Sequence, residues 1–186
     1  SLKAPLYITR ISDNIYHILS PEKELLAGDG GWSYTLNRKS ALTADVLHHL
    51  SDAGLFTRIM QDSSTTLTYV GRTPCEAISA EQQNKVPDGC FKLKWKLVLY
   101  KDPVTHAPTR YELFRTDSRD KAITGRWSIS HGLSSDPAQV MYVLDPGSPV
   151  KLTRLLLGDE DVLFVLKSNL QPFTGNADFS YTLNRK

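Results

Sequence analysis

Two thiols, Cys75 and Cys90, are the residues of this chain best placed to do covalent or metal chemistry. They are its only cysteines and stand fifteen positions apart. Three states are open to them: a loop-closing disulfide, a pair of free buried thiols, or a soft-metal site. The metal state lacks ligands, because no His lies within a few residues of either Cys and such sites use three or four donors. The other candidates are weaker. His48 and Asp52 are spaced i, i+4 and could share one ion on a helix, whereas the adjacent His49 would point to another face. His17, His106 and His131 show no ligand spacing. Asp159-Glu160-Asp161 is an acidic tip that reads as solvated. Lys92, Lys94 and Lys96 make a cationic strip on alternate positions, which suits a solvated outer sheet face. Gly28-Asp29-Gly30-Gly31 is not a phosphate loop, since neither Lys-Ser/Thr nor a helix follows it. No nucleophile–base motif is present, so the expectation is a protein that is not an enzyme.

The elements that position these residues are mostly strands. Phe91, Leu93, Trp95, Leu97 and Leu99 alternate with Lys92, Lys94, Lys96, Val98 and Tyr100, the period of a half-buried strand. Further strands are expected at 66–71, 109–116, 122–130, 140–144, 150–157, 162–166 and 179–185, with turn signals between them. About eight evenly spaced strands without interleaved helices predict a closed antiparallel barrel. Its interior would be lined by Phe91, Leu93, Trp95, Leu97, Leu99, Trp127, Ile129, Tyr181 and Leu183. One helix is expected over 43–54, with Thr43 as N-cap and Gly54 as stop. Lys plus Arg total 22 and Asp plus Glu 20, a balance that does not argue for nucleic acid. No apolar run reaches membrane-spanning length.

The chain also repeats itself. Ser33-Tyr34-Thr35-Leu36-Asn37-Arg38-Lys39 recurs letter for letter at residues 180–186. Upstream, Asn14–Leu19 matches Asp161–Leu166, and Pro5–Ile11 matches Pro149–Leu155 if a short insertion is allowed near Leu156–Gly158. Residues 1–39 therefore read as the C-terminal half of a first module, 40–63 as a helical connector, and 64–186 as a complete module.

Three motifs in order carry a family resemblance. Tyr69-Val70-Gly71-Arg72-Thr73-Pro74-Cys75 resembles the opening of the NlpE N-terminal domain, Gly125-Arg126-Trp127 its Gly-x-Trp strand, and Phe179-Ser180-Tyr181-Thr182-Leu183 its closing strand. The resemblance covers nearly all of 64–186. It implies a lipocalin-like barrel on a lipid-anchored envelope lipoprotein of the periplasm or outer membrane, linked to copper tolerance and envelope-stress sensing. The family carries Cys-x-x-Cys after the Pro; here Glu76-Ala77-Ile78 follows Cys75, and the second cysteine is Cys90. An insertion near 79–88 separates the pair. Within an exported family this favours a Cys75–Cys90 disulfide over a copper site, so no cofactor is expected.

The functional expectation is a non-enzymatic envelope module that engages a protein partner. The alternative is a lipocalin-like barrel holding a small apolar ligand among Trp95, Trp127 and Tyr181. For residues 1–39, whose three strands cannot close a barrel, two partners are expected: the missing half of their own module, or a second copy in a strand-swapped homodimer. Packing on the barrel of the same chain is disfavoured, since strand 33–39 should want neighbours that strand 180–186 already has. Contact with a membrane is expected only through a lipid anchor outside this sequence.

Overall fold

The fold is taken from a computed structural model that describes residues 5–39, 55–81, 88–116, 121–133, 136–145 and 153–186. The helix expected over 43–54, with His48, His49 and Asp52, lies outside the described residues.

Three strands form a separate antiparallel sheet: β1 (Tyr7–Arg10), β2 (Ile15–Leu19) and β3 (Thr35–Asn37). A short helix, α1 (Leu55–Gln61), follows. Then come β4 (Thr66–Thr73), helix α2 (Glu76–Glu81), β5 (Leu93–Lys101), β6 (Pro108–Arg115), β7 (Ile123–Leu133), β8 (Asp136–Asp145), β9 (Thr153–Leu157), β10 (Val162–Leu166) and β11 (Thr182–Arg185). Each of the strands β4 to β11 pairs with the next, and β11 pairs with β4, so eight antiparallel strands close into an up-and-down barrel. This is the architecture that the strand count predicts. Closure removes the unpaired edges that an open sheet presents.

The barrel interior is apolar because alternation puts one side chain in two inside. Leu93, Trp95, Leu97 and Leu99 of β5 are all buried, whereas Lys94 and Lys96 between them are exposed. Phe91 is a correction. It lies outside β5, is 61% exposed, and rests edge-on against Phe179 at 5.2 Å. The apolar alternation runs one step past the strand, and the chain turns at the Cys90 bridge before it.

Each end of the barrel is covered by a helix. Thr66 pairs with Tyr100 at one end of the β4–β5 ladder and Thr73 with Leu93 at the other. At the first end, α1 buries Leu55 and Ile59 in the core, and Arg58 pairs with Glu160 of the β9–β10 turn. At the second, α2 buries Ile78, and Glu81 accepts the Ser168 N–H. The segment read as an insertion thus begins inside a helix. Cys75 and Cys90 are joined in a disulfide that closes this loop, with Cα atoms 6.1 Å apart.

The two repeats superpose in register. Arg10 pairs with Tyr16 as Leu157 pairs with Leu163, and His17 pairs with Thr35 as Phe164 pairs with Thr182. The matched positions are 147 residues apart throughout, so the insertion expected near Leu156–Gly158 is not there. Even a left-handed residue is shared: Lys23 has φ 68° and its counterpart Leu170 φ 67°.

Candidate functional site

The first repeat packs on the barrel of its own chain, but not by strand pairing. Its sheet lies against the outer face of β10 and β11 and meets it through side chains. On β11 and the residues leading into it, Tyr181 and Leu183 face inward, which leaves Ser180, Thr182 and Asn184 facing outward. On β3 and its approach, Ser33, Thr35 and Asn37 occupy the same places. The two sets meet about a local two-fold axis. Ser33 Oγ is 2.6 Å from Ser180 Oγ, and Thr35 Oγ1 is 2.8 Å from Thr182 Oγ1. Gly175 N–H donates to Asn37 Oδ1 at 2.8 Å, and Gly28 N–H donates to Asn184 Oδ1 at 2.8 Å. Each residue thus contacts its own copy or the reciprocal partner, the pattern of an isologous interface within one chain. The heptapeptide identity serves this contact. The expectation that identity would keep β3 off its own barrel is corrected in that respect, although the ladder of β1, β2 and β3 remains separate from the barrel's.

Matched turns hold the two asparagines' donors in place. Asp29 Oδ1 accepts the N–H groups of Gly31 and Trp32, and Asn176 Oδ1 accepts those of Asp178 and Phe179. A Cβ at Gly28 would lie 2.2 Å from Trp32 O, and one at Gly175 2.1 Å from Phe179 O, so both turns require glycine.

Beside this polar seam lies a small apolar core. Ile11 and Ile15 pack with Met141, Leu156, Val162, Phe164 and Leu166 from the barrel's outer face. His17 is fully buried there, 5.9 Å edge-to-face from Phe164, its own counterpart. Burial holds its pKa below the usual value, against the pull of its bond to Leu26. Neutral His17 donates Nε2–H to the Leu26 carbonyl at 2.9 Å, so Nδ1 accepts the Thr35 hydroxyl at 3.0 Å. Thr35 Oγ1 in turn accepts from Thr182. A chain of hydrogen bonds therefore runs across the interface.

Where the seam opens, a cleft of about 310 Å³ is lined by both repeats, including Trp32, Leu36, Asn37, Arg72, Asn176 and Asn184. Arg72 Nε and Asn184 Nδ2 are buried without a hydrogen-bond partner among the described residues. The cleft thus offers donors to an acceptor group, beside the exposed Trp32 ring. This site is absent from the sequence reading. Its signal is the heptapeptide's outward set of Ser, Thr and Asn, repeated without change.

The structure does not bring the sequence candidates together. Trp95, Trp127 and Tyr181 are buried in the barrel, with their polar atoms bonded to Thr73 Oγ1, Tyr100 O and Pro74 O respectively. Tyr69, Tyr111 and Tyr142 fill the same interior. Lys92 and Lys96 lie over the rings of Phe179 and Phe114. His17 lies on β2, His106 in the turn between β5 and β6, and His131 on β7. In the acidic tip, Asp159 is not simply solvated: its Oδ1 accepts the Asp161 and Val162 N–H groups, and burial raises its pKa to about 6. Among the described residues, no three His, Cys, Asp or Glu side chains cluster as metal ligands would.

Comparison with protein-family models, with curated proteins and with solved structures finds no match.

Proposed function

We propose that this chain is a non-enzymatic module of the cell envelope, of the kind the NlpE-like motifs imply, lipid-anchored in the intact protein. Its work is to hold a protein partner, in envelope- or copper-stress sensing. One observation carries this reading. The barrel encloses its own large side chains, whereas the sheet of the first repeat turns an apolar face outward. Ile8, Trp32 and Leu36 are 47%, 51% and 44% exposed, and among the described residues β1 and β3 each have an unpaired edge. A contiguous apolar surface of this kind suits a protein interface. The Cys75–Cys90 disulfide supports an oxidising compartment.

A photo-crosslinking residue at position 36 tests the reading in the exported, anchored protein. The expected result is one discrete crosslinked envelope protein, lost when the crosslinker is moved to the exposed position 128 on β7, four strands round the barrel from β11. Crosslinks that are equal at both positions would overturn it.

A further inference from the structure

The exposed face of the first repeat keeps the register of a barrel interior. Five of its apolar residues have counterparts inside the barrel. Ile8 corresponds to Leu155, Tyr16 to Leu163, Ile18 to Val165, Tyr34 to Tyr181 and Leu36 to Leu183. All five counterparts belong to the barrel core. The edges correspond as well. β9, the counterpart of β1, pairs on its far side with β8. β11, the counterpart of β3, pairs on its far side with β4. The sheet β1–β2–β3 therefore matches the β9–β10–β11 wall of the barrel seen from within, and what covers that wall in the second repeat is β4 to β8.

We propose that the open face and both edges of β1–β2–β3 bind five antiparallel strands of the β4–β8 type and close a second barrel, related to the first by the local two-fold axis. This rests on the partner reading above and specifies the partner's architecture. The site of the first new strand is visible. In the complete repeat, Val70 lies against Gly30, and Arg72 donates to the Gly31 carbonyl beside β11. The corresponding place beside β3 is bounded by Leu36, Asn37, Ala177 and Asp178, and it is part of the cleft. The cleft is, on that side, a strand's berth.

A second copy of this chain does not fill the berth. Among the described residues each copy carries one β4–β8 set and two three-stranded walls that need one, so exchange between copies only moves the vacancy. The occupant is a separate segment of that strand pattern. The residues 64–148 of this chain are a fair probe, because β3 and β11 share one sequence. The pairs that β4 makes with β11, Asn184↔Val70 and Arg185↔Tyr69, transfer to Asn37 and Arg38 unchanged. So does the close approach of Gly71, where a Cβ would lie 2.6 Å from Thr182 O. On the other edge Tyr142, which pairs with Leu155, would pair with Ile8.

The full chain is refolded under oxidising conditions with a polypeptide spanning residues 64–148, then sized by light scattering and followed by amide hydrogen exchange. The expected result is a 1:1 complex in which the outer amides of β1 and β3 become protected. Ile8→Arg and Leu36→Arg chains, whose substitutions lie outside the first barrel, should keep its melting temperature and lose at least about tenfold in affinity, because an arginine would be buried unpaired in the new interior. No complex, a complex indifferent to both arginines, or a dimer of the chain alone with these edges protected would each overturn the proposal. If the probe fails while position 36 still crosslinks to a protein of other architecture, the strand berth falls and the partner reading stands.

Discussion

The two repeats have one strand plan and one closing sequence, yet they occupy opposite physical states. In the second, Leu183 is fully buried inside a closed barrel; in the first, the identical position, Leu36, is 44% exposed. The sequence of a strand therefore does not decide its burial. The neighbours do. Leu155 and Ile8 make the same point from the other edge, at 0% and 47% exposure. What the two copies share is the opposite face, where Ser, Thr and Asn bind their counterparts across the local axis.

The contrast is broken most strongly inside the closed barrel. Trp95→Ala should cost about 3–5 kcal/mol, as large aromatic truncations do, whereas Leu36→Ala should leave barrel stability within about 0.5 kcal/mol, as exposed positions do. Urea unfolding of the two variants, read by fluorescence, checks this; similar losses would erase the distinction between the repeats. Reduction comes next. Opening the Cys75–Cys90 loop should cost about 3 kcal/mol on the chain-entropy account of a loop this size. Thiol titration of the unfolded, unreduced chain should find no free thiol, and Cys75→Ala/Cys90→Ala should melt lower.

The interface itself is sharper and smaller. Thr35→Val and Thr182→Val in a double-mutant cycle should show a coupling of about 1 kcal/mol, the size of one buried hydrogen bond. His17 adds a pH dependence with a definite sign. Its folded pKa lies below the ordinary 6.5, so its contribution is whole above that value and is lost as pH falls through the folded pKa. Exchange of the β2 amides should accelerate on acidification through that range in the native chain and not in His17→Gln. The smallest effect concerns the connector. Burial would raise the Asp62 pKa, but bonds to Ser64 and Arg185 outweigh it and hold the carboxylate at about 2. The stability it contributes is present above pH 4 and lost as pH falls toward 2; Asp62→Asn should remove that slope and cost about 0.5 kcal/mol at neutral pH, as for a partly exposed ion pair.

The barrel was legible because alternation is a local signal. Leu93 to Leu99 and the turn residues between strands carry it without help from the rest of the chain. Phe91 was misplaced by the same signal, since apolar alternation does not announce where the ladder stops. Helix α2 was hidden because six residues, Glu76–Glu81, are too few for a period to show. The inter-repeat seam was written in plain letters but read for its edges alone. A repeated strand suggests competition for one set of neighbours when only its ladder is considered. It specifies self-complementarity when its outward side chains are considered too. Asn184 and Arg72 gave no warning, because a buried polar group is recognised by its surroundings and not by its type.

The barrel's closure has a mechanical consequence. The chain enters the barrel through β4 and leaves it through β11, and these two strands are adjacent and antiparallel. Their ladder has residue partners only at Asn184↔Val70 and Arg185↔Tyr69, whereas all eight residues of β4 are paired with β5. Tension applied between the connector and the C-terminal strand would load this seam one bond at a time, as a zip is loaded, and not all at once in shear. Lys186 N–H on Thr68 O and Arg185 on Asp62, both at the pulled end, would part first. Under load, the same seam that completes the cylinder is its line of opening.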